Sequence, residues 1–284
     1  VSGEEERREI RHRAAVLGDP VEHSLSPLLH NAGYRAAGLD DWEYGRMLCP
    51  RGGLADLVGG AGAEYAGFSV TMPGKFEALD FADEVTDRAR AVGSANTLVR
   101  LPAGGWRADN TDVDGVHGAL DELTGRNPEG PASEIRHAVL LGAGGTAHAV
   151  LFALVERGVE RVDVVNRSDR HSELAGLVEG SGTEMVFRRW DEDLRALSLA
   201  ADVVVSTVPA SIADPYAEDL GHAPVLDVVY DPRPTKLCVA AAANGFLTAA
   251  GHVMLAHQAF GQFEQFTGVD APREEMRAAI EAAV

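Results

Sequence analysis

Gly142-Ala143-Gly144-Gly145-Thr146-Ala147 places its small residues as G-x-G-x-x-A between an apolar run, His137 to Leu141, and a helical stretch, Thr146 to Arg157, closed by Gly158. In that context the chemistry implied is dinucleotide binding. The first glycine permits a tight turn, the second lets backbone approach a pyrophosphate, and the small third residue allows close helix–strand packing. The helix N-terminus then favours the negative charge. Glycine turns also join strands to helices in proteins that bind nothing, so it is the two flanks that favour a ligand. The next apolar strand, Val162 to Val165, ends in Asn166-Arg167-Ser168-Asp169-Arg170, with no acid at its tip. An NAD site usually has an acid there for the ribose hydroxyl. Arg167 and Arg170 instead suit a 2′-phosphate, and Arg167 can also stack on adenine. As two solvated arginines opening a helix they would oppose its dipole, and that mismatch favours NADP; Asp169 beside them points the other way.

Four further segments concentrate small polar residues beside strand ends and helix starts, where loops carry function on a scaffold. They are Glu22 to Pro27, Gly67 to Lys75, Gly93 to Thr97 and Asp109 to Gly115. Taken singly their residues have bland readings: Ser26 as a helix cap, Lys75 as a solvated lysine, Asp112 as a cap. His23 and His30 invite a metal reading, but their spacing crosses the helix start at Pro27 and no carboxylate cluster joins them, so no metal is expected.

The chain of 284 residues suits two domains. Lys plus Arg number 25 against 44 Asp plus Glu, a net charge of -19, which disfavours nucleic acid and anionic membranes as partners and requires a local cationic site for any anionic ligand. No apolar run is long enough to span a bilayer, and the first ten residues are charged rather than signal-like. Cys49 and Cys238 fit no metal or redox spacing, so a reducing cytoplasm is the expected location.

Val1 to His12 reads as a charged arm. A short strand is expected at Ala14 to Gly18, then a helix with Ser26 as N-cap, Pro27 at its first position and Gly38 as its stop. Strands follow at Trp42 to Leu48, Tyr65 to Thr71, Ala95 to Arg100 and Trp106 to Ala108, the last two joined by a Gly104-Gly105 turn. Thr124 to Pro131 reads as a surface loop opening a new unit. Beyond it strands at His137 to Leu141, Val162 to Val165, Val203 to Val205 and Val225 to Val229 alternate with helices, the pattern of a covered parallel sheet. Two helices close the chain, Val253 to Phe266 and Pro272 to Ala283.

Taken in order, His23-Ser24-Leu25-Ser26-Pro27, Ser69-Val70-Thr71-Met72-Pro73-Gly74-Lys75, Gly93-Ser94-Ala95-Asn96-Thr97 and Asn110-Thr111-Asp112-Val113-Asp114-Gly115 resemble the shikimate dehydrogenase family. The likeness continues through Asp227 to Pro232 and Gly251 to Ala259, so it runs from Gly18 to Gly268. It implies that Ser24 and Ser26 bind a substrate carboxylate, that Thr71, Asn96 and Gln258 bond ring hydroxyls, and that Tyr230 lines the same pocket. Lys75 would protonate the developing alkoxide, and Asp112 would hold that ammonium and bond a substrate hydroxyl. On the cofactor side it implies Gly142, Gly144, Gly145, Thr146, Ala147, Asn166, Arg167, Arg170 and Thr207, with Gly251, Met254 and Leu255 towards the nicotinamide. Ser69 and Ser206 stand where the family often has Asn, and Ser94 where Ala is common; none of these removes a catalytic group.

The fold class expected is α/β with two α/β domains. Residues 1–111 plus 251–284 would form a substrate domain and residues 112–250 a Rossmann-like NADP domain. The C-terminal helices would return to the first domain, and the site would lie in the cleft between the two. The reaction implied is reversible NADPH-dependent reduction of 3-dehydroshikimate to shikimate, by a monomer or homodimer whose partner is a small molecule. Quinate or aminoshikimate dehydrogenases of the same superfamily are the rival reading, and a non-catalytic NADPH sensor is a third.

Overall fold

The computed structural model describes residues 9–125 and 135–284. Most of the charged arm expected at Val1 to His12, and the loop expected at Thr124 to Pro131 from position 126 onward, lie outside the described residues. The chain forms two compact units.

The first unit takes the described residues up to Thr86, Ala95–Asp109 and Ala259–Ala283. Its strands are β1 (His12–Gly18), β2 (Trp42–Leu48), β3 (Tyr65–Val70), β4 (Glu84–Val85), β5 (Thr97–Arg100) and β6 (Trp106–Asp109), in the order β2-β1-β3-β5-β6-β4. β1 runs parallel to both neighbours, while β5 is antiparallel to β3 and β6. Leu17, Phe68, Leu98 and Ala108 are fully buried on this sheet. Against it lies an aromatic cluster in which His30 stacks on Tyr44 with ring centres 4.2 Å apart, beside Phe263 and Phe266. Burial there pushes the His30 pKa down to about 3, so the ring is neutral at ordinary pH.

Ser26 does not cap its helix. It is the first residue of the helix Ser26–Ala36, and Leu25 occupies the cap position with no side-chain bond. Ser24 does the nearest thing to capping, its Oγ accepting from the Ser26 amide at 3.3 Å. Pro27 and the left-handed Gly38 (φ 69°) begin and end the helix as their types dictate.

The second unit takes Asp87–Ser94 and Asn110–Gln258. Its strands β7 (His137–Leu141), β8 (Arg161–Val165), β9 (Glu184–Arg188), β10 (Val203–Ser206), β11 (Val225–Asp227) and β12 (Thr248–Ala250) lie in the order β12-β11-β10-β7-β8-β9, every pairing parallel. This is the doubly wound dinucleotide-binding order, whose direction reverses between β7 and β10 and leaves a crevice at their carboxyl ends. Parallel strands covered by helices on both faces must be apolar throughout, which is why Ala138, Leu140, Val162, Val164, Val203 and Val205 are all fully buried. One charge interrupts them. Burial works to raise the Asp163 pKa, but hydrogen bonds from Arg161, Arg188 and His137 outweigh it and hold the carboxyl at about 2.

The helix Gly251–Thr267 contributes its first half to the second unit and its second half to the first. Among the described residues no helix is long and apolar enough to cross a membrane, and no group of three or more metal-ligating side chains assembles.

Candidate active site

β7 ends at the glycine turn. Gly142 has φ 102°, and a Cβ there would sit 2.7 Å from Thr207 Oγ1, so glycine is required by the fold. Thr207 itself, at the end of β10, donates its hydroxyl to Leu141 O at 2.8 Å and so lies against the turn. Gly144 differs: its backbone is extended and a Cβ would meet nothing within 4 Å. Its missing side chain leaves room at the mouth of the helix Gly145–Glu156, where first-turn amides point outward. The turn thus fits a pyrophosphate.

At the end of β8, Asn166 is tied to Arg188 O through its amide and to Ser168 O through its side chain, at 3.1 and 2.9 Å. The Asp169 carboxylate is turned back onto the His171 amide, 2.7 Å away, at the start of the helix His171–Val178, whose cap position is held by Arg170. Arg167 is exposed. Arg170 is gripped by Glu173, with Nε 2.8 Å from Oε1 and a second bond between Nη2 and Oε2. Glu173 escapes sequence inspection because its importance lies in which arginine it reaches.

The N-T-D-x-x-G segment opens the helix Asp112–Thr124. Asn110 is fully buried, its Nδ2 donating to Ser94 O at 2.8 Å and its Oδ1 accepting from the Asp112 amide at 3.1 Å. Ser94 Oγ in turn reaches Gly145 O at 3.4 Å. Asp112, nearly buried, is therefore anchored through two side chains to the nucleotide turn. Gly115 supplies the other constraint. A Cβ there would stand 2.7 Å from Met254 O and 3.1 Å from Gln258 Cβ, so its absence lets this helix press against the Gly251–Thr267 helix. Thr111 Oγ1 meets Gln258 Oε1 at 3.4 Å. Gly251 lies so close to Val228 that a Cβ would overlap its carbonyl, which brings the start of that helix beside the segment carrying Tyr230. Asp112, Met254 and Gln258 are thus gathered within one unit, with Leu255 on the same helix.

In the first unit, backbone bonds make one corner. Val70 N donates to Asn96 O at 2.7 Å, Ala95 N to Lys75 O at 2.9 Å and Thr71 N to Leu17 O at 2.9 Å. Thr71, Asn96 and Lys75, the first residue of the helix Lys75–Phe81, therefore converge at the carboxyl ends of β1 and β3. Gly18 makes room for this, since a Cβ would lie 2.4 Å from Thr71 Cγ2. Ser24 and Ser26 follow on the loop leaving β1, Ser24 O being held by Arg46 Nη2 at 2.6 Å.

This distribution of polar groups has close counterparts. A shikimate dehydrogenase (NADP(+)) from Methylobacterium radiotolerans is 39% identical over 265 residues, covering 90% of this chain and 91% of that protein. The chain belongs to the shikimate dehydrogenase family. Three family profiles agree: the shikimate dehydrogenase substrate binding domain over residues 16–98, shikimate / quinate 5-dehydrogenase over 129–213, and the shikimate 5′-dehydrogenase C-terminal domain over 251–281. The crystal structure of Mycobacterium tuberculosis shikimate dehydrogenase is 49% identical, with a TM-score of 0.85 covering 96% of this chain and 100% of that one. A quinate dehydrogenase from Corynebacterium glutamicum in complex with NAD is 29% identical, with a TM-score of 0.83 over 96% and 100% of the two chains.

Proposed function

We propose that this chain catalyses the reversible NADPH-dependent reduction of 3-dehydroshikimate to shikimate. The observation that carries the reaction is the 39% identity, over nine-tenths of the chain, to a protein named for it and for NADP. The open turn at Gly144 and the exposed Arg167 support the cofactor. Gly142, Gly144, Gly145, Thr146 and Ala147 would receive the pyrophosphate, with Thr207 beside them. Asn166, Arg167 and Arg170 would take the adenosine end, and Gly251, Met254 and Leu255 the nicotinamide. When bound, NADPH supplies the hydride.

The protein's own groups supply the rest. Ser24 and Ser26 orient the substrate carboxylate, while Thr71, Asn96, Gln258 and Tyr230 hold the ring. Lys75, as an ammonium, polarises the ketone and gives its proton to the oxygen as the hydride arrives; in the reverse direction its neutral amine takes the proton back. Asp112 accepts from a ring hydroxyl. A cytoplasmic location suits such an enzyme, with a small molecule as its partner.

Quinate oxidation with NAD is the second reading, favoured by the Corynebacterium glutamicum relative and by the grip of Glu173 on Arg170. Purified protein should be offered shikimate and quinate, each with NADP and NAD, while reduced nicotinamide is followed by absorbance. Turnover chiefly with shikimate and NADP is expected. Preference for quinate and NAD would replace the first reading with the second, and cofactor binding without any turnover would overturn both.

A further inference from the structure

The first unit carries one cation whose placement none of the proposed roles uses. Along β2 the side chains alternate between faces, so Tyr44 and Arg46 lie on the same one. Over Tyr44 lies the helix Ser26–Ala36: His30 stacks on its ring, and Asn31 Nδ2 donates to its carbonyl at 2.9 Å. Arg46, two residues nearer the carboxyl end of the strand, therefore comes out at the start of that helix, where the chain leaving β1 turns into it. There its Nε and Nη2 both donate to Ser24 O, at 3.1 and 2.6 Å.

Ser24 is thereby fixed on three sides. Its amide donates to Val21 O at 3.1 Å, its carbonyl takes the guanidinium, and its Oγ accepts from the Ser26 amide at 3.3 Å. The Ser24 hydroxyl proton has no acceptor among the described residues, which leaves it for a ligand.

The local charge differs from that of the chain as a whole, in which acids outnumber lysines and arginines by 44 to 25. Arg46 is exposed and spends its bonds on a carbonyl, pairing with no carboxylate among the described residues. The helix opens with no acid in its first turn, so nothing there offsets its positive N-terminus. Glu22 turns its carboxylate back on the Val21 amide at 3.0 Å. Because the guanidinium rests on the carbonyl of Ser24 itself, its charge stands within about 8 Å of the Ser24 hydroxyl. That is inside the screening length of about 10 Å at 0.1 M salt.

We propose that Arg46 is a recognition residue for the substrate, its guanidinium supplying the positive charge that draws a carboxylate to the hydroxyls of Ser24 and Ser26. This rests on the proposed function in taking the ligand of those serines to be a carboxylate on a hydroxylated ring. Serine hydroxyls are neutral donors that can bond an ester carbonyl as well as a carboxylate; Arg46 is what makes the corner prefer the acid. Since the guanidinium is exposed, its pull is screened by salt and acts on binding rather than on the hydride step.

The test follows turnover of shikimate by the wild type, Arg46→Gln and Arg46→Lys at about 10 mM and about 500 mM NaCl. Shikimate methyl ester is titrated alongside as a competitor. Arg46→Gln should raise the shikimate KM about fivefold at low salt, change kcat by less than about twofold and leave the KM for NADP unchanged. At high salt the KM gap should close to less than about twofold, and Arg46→Lys should stay near the wild type throughout. The ester keeps the ring and its hydroxyls but has lost the charge, so its inhibition constant should be the same in the wild type and Arg46→Gln. An unchanged shikimate KM in Arg46→Gln would overturn the proposal. So would a KM rise matched by an equal weakening of the ester, or one indifferent to salt, either of which would make Arg46 only a prop for the Ser24 loop. A wild type that neither turns over nor binds shikimate would instead sink the functional reading, and the proposal with it, before any variant is made.

Discussion

At the scale of single residues, Lys75 and Asp112 carry the strongest claim on the chemistry. Lys75→Ala should lower kcat about a thousandfold while leaving NADP binding intact, because general acid catalysis contributes about that much. If the two groups act as a unit, the Lys75→Ala/Asp112→Asn double variant should be little slower than the worse single variant, since a broken pair cannot be broken twice. If Arg170 takes the adenosine end as proposed, Glu173 bears on cofactor choice, since its carboxylate occupies the guanidinium fork of Arg170. Glu173→Gln should therefore tighten NADP about threefold by titration, the modest effect of an exposed ion pair, and leave NAD unaffected. His30 sets part of the acid limit of the fold. Its folded pKa of about 3 lies below the unfolded value of about 6.5, so the unfolded chain binds the extra proton between those limits. Its contribution is fully present above about pH 6.5 and is lost progressively below it, by about 1.4 kcal/mol per pH unit. Asp163, held at about 2, adds a similar loss only below about pH 4. Urea unfolding of His30→Leu at a series of pH values should give a shallower slope between pH 6 and 4 than the wild type.

Elements explain why particular glycines matter, and two substitutions separate their reasons. Gly144→Ala adds a methyl group in open space at an ordinary extended backbone, so stability should change by less than about 1 kcal/mol while NADP affinity falls at least about tenfold. Gly115→Ala should do the reverse in order of cause, driving a methyl group into Met254 O and costing about 1–3 kcal/mol of stability by thermal unfolding. The apolar runs at the end of β7 (Ala-Val-Leu-Leu) and around Asp163 in β8 were legible in the sequence, because buried parallel strands are mostly apolar. β4, two residues long, and β12, read as Thr-Ala-Ala, were not. β9 (Glu-Met-Val-Phe-Arg) carries charges at both ends, as an edge strand does, and so lacked the apolar run that marked its neighbours. The same holds for the site. Lys75 and Asp112 stand inside recognisable motifs, whereas the buried bonds of Ser69 to Tyr44 and Gln262, 25 and 193 residues away, are a relation that only the fold creates.

For the whole molecule, a net charge of -19 must admit an anionic cofactor, and under the proposed site it would do so through local donors rather than through its overall field. Binding should consequently be felt where those donors are. NADP at a hundredfold excess over its dissociation constant stabilises its host by about 2.7 kcal/mol, and hydrogen exchange should show the added protection in β7, β8 and β10 more than in β1 to β3. The division of the chain between the units has a further effect, on order in time. The aromatic cluster around His30 and Tyr34 is completed by Phe263, Phe266 and Met276, which lie near the far end of the chain. During synthesis β1, β2 and β3 emerge first yet must wait with that apolar face uncovered until some two hundred further residues have been made, a delay of about 10–40 s at ordinary elongation rates. The second unit, with its last strand at Thr248–Ala250, holds all its strands before then. Of the two units, the one whose strands are translated earlier is thus finished later, and a nascent chain in that interval is the form most in need of a chaperone.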